Sequence, residues 1–408
     1  MSPQIPTEIP QYDKSCRHFA KRMGKTPKSF IREILKVTED PSIISFAGGL
    51  PNPGLIDVKG ISLAAATVLG QEGRSVLQYS TTEGYLPLRQ FIADRYRKRL
   101  GLFVSPDEIL ITNGSQQCLD LIGKVFIDNG DHIAIERPGY LGAIQAFSLY
   151  EPVFHPVNIN ENGLDPFMLA QVLETHPVKL FYGVPNSQNP SGITYTNERR
   201  RELASIFGKT ETLFVEDDAY GELNFSEKTL SSMREFLPDQ TIITGSFSKI
   251  LAPGMRLGWL VAQPDIMEQL VIAKQASDLH SNYLSQRIAY QYLHQQNIDD
   301  HIRKICRVYK TQCHLMIDMI REKFPESVDY TVPEGGMFIW LTLPDGISST
   351  EVFEQALNAG VAVLPGTPFY TDGGGGNTIR LNFSNSTEQK IITGMERFSN
   401  VIRNLMKI

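Results

Sequence analysis

The sequence predicts an α/β protein: a mostly parallel seven-stranded sheet flanked by helices, with a smaller α+β domain drawn from the two chain ends. Three observations carry this. Seven short β-rich runs alternate with helical patterns between positions 108 and 261, and such alternation places helices on both faces of a parallel sheet. Beyond position 285 the pattern changes to long helix and then to short strands. The 408 residues, 41% hydrophobic and 21% charged, are ordinary globular composition with enough chain to bury large cores. The expected division is 1–44 for an N-terminal arm and part of the small domain, 45–285 for the large domain, and 286–408 for an interdomain helix and the rest of the small domain.

The elements follow in order. The opening "MSPQIPTEIPQYDKS" has no apolar core after a basic start, carries Glu8 and Asp13, and lacks arginine. It therefore reads as neither a secretory signal nor a mitochondrial transit peptide. "SFIREILKVTE" predicts a helix with Ser29 as N-cap. The predicted strands of the large domain are "EILIT" (108–112), "HIAIE" (132–136), "VFHPV" (153–157), "LFYGV" (180–184), "TLFVE" (212–216), "TIITGS" (241–246) and "RLGWLV" (256–261). Between them, "SQQCLDLIGKVFIDNG" places Cys118, Ile122 and Val125 at helical spacing with Gly130 as a stop, and "NERRRELASIFGK" is a second helix. Positions 285–324 read as long helix. "MFIWLTL" (337–343), "VAVLP" (361–365) and "TIRLNF" (378–383) are strands of the small domain, with "DGGGGN" (372–377) a flexible turn.

Composition excludes several functions. A formal net charge of -6 and a pI near 5.8 argue against a nucleic-acid binder, which carries a basic face. No window approaches the roughly 20 apolar residues of a membrane span. Cys16, Cys118, Cys306 and Cys313 contain no C-x-x-C pair, which fits free thiols in a reducing cytoplasm. Cys306 and Cys313, seven apart, suggest a shared helix face rather than a metal site. His155 in "EPVFHPV" reads as a structural residue, with nothing pairing it to a metal.

In an open parallel sheet, ligands sit outside the carboxyl ends of the strands. The residues following each predicted strand are therefore the informative ones. They are "NGSQQ" after 112, "RPGY" after 136, "PNSQNPSG" after 184, "DDAYGE" after 216 and "FSKILAPG" after 246. If these strands are neighbours, one crevice receives an amide (Asn189), a carboxylate (Asp217), a phenol (Tyr220), an amine (Lys249), a helix N-terminus (Ser115, Gln116) and an aromatic ring (Tyr140).

That set has a chemical logic. A lysine that forms a Schiff base must be available as a neutral nucleophile. Ser246, Ser248, Arg256 and the N–H groups at Ser115 and Gln116 would donate to a phosphate. Asp217 would pair with a cationic ring nitrogen, a phenol and an amide would hold a ring oxygen, and Tyr140 would stack on the ring. Pyridoxal 5'-phosphate has all of these parts.

The same residues carry a family resemblance. "SFAGGLP" (45–51), "YSTTEGYLPLR" (79–89), "NGSQQ" (113–117), "RPGY" (137–140), "NPSG" (189–192), "DDAY" (217–220), "SFSKILAPGMRLGW" (246–259) and "RLNF" (380–383) together resemble the fold-type I pyridoxal-phosphate enzymes of the class I/II aminotransferase family. The motifs fall in the family's order and cover about positions 30–385, nearly the whole chain. "SFAGGLP" and the Ser-Gln pair resemble the branch of 2-aminoadipate, kynurenine and multi-substrate aminotransferases. They also resemble the aminotransferase half of a group of bacterial regulators.

The resemblance implies Lys249 as the Schiff-base lysine and proton shuttle, Asp217 (rather than Asp218) at the pyridine nitrogen, and Tyr220 and Asn189 at the ring oxygen. It implies Tyr140 for stacking, Ser115, Gln116, Ser246 and Arg256 for the phosphate, Arg380 for the substrate carboxylate, and Asn189 and Gly48 beside the substrate. Tyr79 would reach the phosphate of a neighbouring subunit, which implies a homodimer with shared active sites. The implied activity is ping-pong transamination between an L-amino acid and a 2-oxo acid, with 2-oxoglutarate as acceptor. The motifs do not separate this from β-elimination or carbon–sulfur cleavage at the same site. A pyridoxal-phosphate-sensing regulator would need a DNA-binding segment, and only about 30 residues precede "FIREIL". The N-terminal arm would cover the active site and choose the substrate. Arg17, Arg22 and Lys25 would suit a second carboxylate, whereas Phe19, Met23 and Phe30 would suit an apolar side chain.

Overall fold

The computed structural model describes residues 19–24, 40, 42–226, 228 and 230–407. The helix expected at 29–39, with Arg17, Lys25, Phe30 and Cys16, lies outside the described residues. All seven expected strands of the large sheet are present: β1 (Ile109–Thr112), β2 (His132–Arg137), β3 (Val153–Asn160), β5 (Val178–Gly183), β6 (Leu213–Asp217), β7 (Thr241–Ser246) and β8 (Gly258–Val261). An eighth, β4 (Gly163–Leu164), pairs antiparallel with the end of β3. With two residues it has no hydrophobic period to read, which is why seven strands were expected.

The spatial order is β1-β8-β7-β6-β5-β2-β3-β4. Strands β7, β6, β5, β2 and β3 run parallel to one another. Strand β8 is antiparallel to both of its neighbours, so β1 shares the direction of the rest. The central strands read as continuous apolar runs because both faces are covered. Every residue of β1, β7 and β8 is buried. Burial of each Ile or Leu in them contributes about 1.5–3 kcal/mol.

The helix Ser115–Phe126 follows β1 and buries Cys118, Leu119, Leu121 and Ile122. It ends before Gly130, which instead adopts φ +87° in the turn leading to β2. The helix Asn197–Phe207 is capped by the Thr196 side chain accepting from Arg199 N–H. Its Arg200 is fully buried and donates to Tyr195 O, Ser231 O, Pro185 O and Asn186 Oδ1. Those bonds pin both ends of the loop that carries Asn189.

The helical stretch expected over 285–324 is two helices, Tyr283–Gln295 and Ile298–Lys323. Gln296 is extended, and the Asn297 side chain accepts from Asp299 and Asp300 N–H. Asn is a strong N-cap, and here it starts a new helix. Cys313 is buried and Cys306 half-buried on this second helix, and both are free thiols. Among the described residues no helix is long and apolar enough to cross a membrane.

The small sheet joins Asp329–Tyr330, Phe338–Thr342, Thr378–Asn382 and Leu364–Pro365, all antiparallel. "VAVLP" divides. Leu364–Pro365 belongs to this sheet, while Val361–Ala362 pairs in parallel with Ile44–Ser45. Phe46 N–H also donates to Ala362 O, and Asn382 N–H to Phe46 O. These bonds draw the "SFAGG" segment across from the N-terminal side and place it against Arg380.

Candidate active site

The carboxyl ends of β1, β2, β5, β6 and β7 face one cavity of about 300 Å³. Every expected site residue lines it except Tyr79 and Gly48. Gly49, not Gly48, faces the cavity, and its carbonyl accepts from Lys249 Nζ at 2.9 Å. Gly48 is buried alongside it. Tyr79 is 77% exposed and meets His280 edge-on, away from the cavity of its own chain. In the N-terminal arm, Phe19 and Met23 are exposed.

A larger cavity, about 370 Å³, lies on the other side of Tyr220. Among its charged groups, Arg95 pairs with Glu222 and Asp299, Arg99 with Glu222, and Lys98 with Asp299. Apart from Tyr220, none of the expected site residues lines it.

One end of the 300 Å³ cavity is built to receive an anion. Gly114 turns at φ +81° into the helix Ser115–Phe126, which has no side-chain cap. A Cβ on Gly114 would stand 2.5 Å from Arg256 Nη2, so only glycine lets the guanidinium close over the turn. Arg256 Nη2 donates to Asn113 O, and Ser246 Oγ accepts from Ser248 N–H. Gln116 spends its side chain on Gly142 O, so its backbone N–H is what it offers the cavity. Uncapped helix N–H groups beside a guanidinium and a hydroxyl form an anion site.

At the floor, Asp217 closes β6 opposite Thr244 of β7. Its Oδ2 accepts from Tyr182 O–H at 2.6 Å, while Oδ1 is buried with no partner. Burial pushes its pKa up to about 6. A buried carboxylate oxygen left without a donor is costly, and Asp217 is one of the residues that line the cavity, where a ring N–H would give it a donor. The neighbouring Asp218 instead accepts from Asn186 Nδ2.

Lys249 is half-buried by exposed area because it borders the cavity. Burial first, and then the charges of Arg380 and Arg256, lower its pKa to about 8. Desolvation disfavours the ammonium, and two guanidiniums add repulsion. Burial keeps the phenols of Tyr140 and Tyr220 protonated, that of Tyr140 being pushed up to about 12.

Arg380 is 2% exposed. Nη1 donates to Asn189 Oδ1 at 2.8 Å, Nη2 donates to Ala47 O at 2.6 Å, and Nε is buried without a partner. Burial lowers its pKa to about 10, so it remains a cation. The guanidinium has five N–H donors, and two bonds orient the fork while leaving donors for a carboxylate. Its carbon lies 4.3 Å from the Phe338 ring centroid.

Sequence reasoning missed Tyr182, Phe338 and Gly49. Tyr182 carried a signal: a tyrosine inside an otherwise apolar buried strand needs a partner for its hydroxyl. Phe338 carried none, because only the tertiary fold brings the small sheet to this cavity.

The residues fit pyridoxal phosphate in an uncapped helix start beside Arg256, an orphaned carboxylate oxygen and a partly neutral amine. The comparisons agree. The pattern of aminotransferase class I and II matches residues 57–398. Aromatic-amino-acid aminotransferase 1 of Thermococcus litoralis is 40% identical over 98% of this chain and 97% of its own. The α-aminoadipate aminotransferase of Thermus thermophilus, solved with N-(5'-phosphopyridoxyl)-L-leucine, superposes with a TM-score of 0.90 at 40% identity, covering 95% of this chain and 98% of that one. The kynurenine aminotransferase of Pyrococcus horikoshii, solved with PMP, gives 0.91 at 40% identity, covering 96% and 98%. The chain thus belongs to the aminotransferase class I and II family, which uses pyridoxal phosphate to act on amino acids and 2-oxo acids.

Proposed function

We propose that Lys249 is the amine that takes up the cofactor aldehyde and then moves the substrate proton, with 2-oxoglutarate as the amino-group acceptor. The observation that carries the reading is the placement of Lys249 and the unpartnered Asp217 Oδ1 in one cavity. When bound, pyridoxal phosphate supplies an electron sink for the pair left as the α C–H bond breaks.

The chain's own residues do the rest. Arg380 grips the α-carboxylate in a two-pronged hydrogen bond, which fixes the orientation of the α C–H bond. Lys249, partly neutral at its lowered pKa, would accept the α proton at Nζ and hold it for return. With the cofactor bound, Asp217 would accept from the pyridine N–H and favour the cationic ring. Asn189 and the protonated Tyr220 would donate to the ring oxygen, and Tyr140 would stack on the ring. Ser115, Gln116, Ser246 and Arg256 would hold the phosphate.

A panel of amino donors with 2-oxoglutarate tests the reading. Glutamate is the expected product, with 2-aminoadipate and aromatic amino acids the first donors to try, given the relatives. In the same panel, Arg380→Lys is expected to lower kcat/KM by about 10²-fold for every donor alike, because a point cation cannot reproduce the fork. A panel with no glutamate, or with pyruvate and ammonia released without an acceptor, would overturn it in favour of elimination.

The working unit is proposed to be a homodimer. Support comes from the exposed apolar side chains of the 58–86 segment, among them Val58, Leu63, Leu77, Tyr79 and Leu86. An apolar surface of this kind is normally covered by a partner. Sedimentation is expected to give twice the 45.8 kDa chain mass, and a monomer with full activity would remove Tyr79 from any shared site.

A further inference from the structure

The structure assigns a second site, away from the cavity: His132, His155 and His176 form a binding site for one late first-row divalent transition ion. The site lies at the amino-terminal edge of the large sheet, and the strand register builds it. His132 starts β2, and β2 lies between β5 and β3. His132 is opposite Val153 of β3 and Val178 of β5. His155 lies two residues after Val153, and His176 two residues before Val178. Residues two apart share a face of a sheet, which sets His155 beside His132, while His176, the C-cap of the helix Pro166–Thr175 just before β5, brings the third imidazole to the same group.

The contacts are close. His132 Nδ1 and His155 Nε2 are 2.8 Å apart. Ring centroids are 4.0 Å apart for His155 and His176, and 5.4 Å for His132 and His176. One nitrogen from each ring falls in a group spanning no more than 4.8 Å. A tetrahedral ion with bonds of 2.0–2.1 Å holds its nitrogens about 3.4 Å apart, so modest side-chain rotations of these half-buried rings bring them to that spacing. The rings lie within 11° and 27° of parallel, and seating an ion in the ring planes requires a tilt. A wide cavity of about 600 Å³ bordered by His176 and Lys179 leaves room for that tilt and an entry path.

The chemistry of the donor set selects the ion. Imidazole suits zinc, copper and nickel rather than magnesium or calcium. Among the described hydrogen bonds, the rings satisfy one nitrogen each of His132 and His155 and neither of His176. The nearby ammonium of Lys179 is paired with Asp131 Oδ2.

The site is separate from catalysis. β2 carries His132 at one end and Arg137, beside the cavity loops, at the other. That is about 16 Å along a strand. Bound there, an ion ties β2 and β3 to the end of the helix Pro166–Thr175 without touching substrate.

The test uses chelator-treated holoenzyme titrated calorimetrically with Zn²⁺, with a parallel thermal melt. The wild type is expected to bind one ion per chain at this site and to gain several degrees in Tm. His155→Ala and, separately, His176→Gln are expected to lose at least about tenfold in affinity and most of the Tm gain, with transaminase turnover unchanged in metal-free buffer. His176→Gln, at the rim, serves as the readout if His155→Ala fails to fold. No saturable binding, or binding and a thermal gain that survive both substitutions, would overturn the assignment; the second result would point to the free thiols as ligands.

Discussion

Lys249→Ala is expected to remove all covalent attachment of the cofactor and to lower turnover by at least about 10⁴-fold, the upper range for removing a general acid–base group. The loss should exceed that range because the same amine acts both as nucleophile and as proton carrier. Borohydride reduction of the wild-type holoenzyme, followed by peptide mapping, is expected to tag the peptide containing Lys249 and no other. The pH dependence has a definite sign. With a pKa near 8, half of the Lys249 amine is neutral at pH 8, whereas a lysine at about 10.4 would be well under 1% neutral. Cofactor uptake by the apoenzyme should therefore rise with pH up to about 8 and then level off, as the reactive form is the deprotonated one. An unshifted lysine would keep gaining about tenfold per pH unit for two units more. A label at another lysine, or a rate still climbing at pH 10, would end the assignment.

That amine was legible in the sequence for a physical reason. "TIITGS" carries no charged residue because the strand is buried along its whole length, and a charged group appears only where the sheet edge opens. The same change from apolar run to polar turn marked Asp217 at the end of β6 and Asn189 beyond the end of β5. Residues whose role depends on packing between distant segments were not legible. Tyr182 lies inside the apolar run of β5, and only the β5–β6 pairing brings it to Asp217. Phe338 comes from the small sheet. Gly49 rather than Gly48 faces Lys249 because Ile44–Ser45 pairs with Val361–Ala362 in one register and not the next. The helix break at Asn297 hides in a polar stretch whose residues suit helix and cap alike. The three histidines at the opposite edge were invisible for the same reason as Tyr182. They are more than 20 positions apart in pairs, and only the fold unites them, through the register of β2 and β3 and the end of the helix Pro166–Thr175.

Asp217→Ala should separate catalysis from binding. Asp217 lines the cavity, with one oxygen fixed by Tyr182 and the other buried without a hydrogen-bond partner. A cationic ring N–H facing that oxygen forms a buried ion pair, and removing one member of such a pair costs about 3–5 kcal/mol. If the cost falls mainly where the α C–H bond breaks, the rate of α-proton exchange should drop by about 10²–10⁴-fold. Cofactor affinity should fall far less, since the phosphate keeps its contacts with Arg256, Ser246 and the helix N-terminus, and Lys249 keeps its covalent hold. Asp217→Asn should give a similar kinetic loss while retaining a side-chain oxygen for Tyr182, which distinguishes lost charge from lost packing. Burial, partly offset by the hydrogen bond from Tyr182, pushes the carboxyl up to about 6 before any cofactor binds. A cation placed against it favours the ionised form and moves its titration lower, so bound cofactor should protect the pairing below pH 6. Exchange of the substrate α-hydrogen with deuterated solvent, read alongside cofactor titration, measures both quantities on one preparation. Equal losses of exchange and affinity would mean that Asp217 only holds the ring in place and does not draw electrons through it.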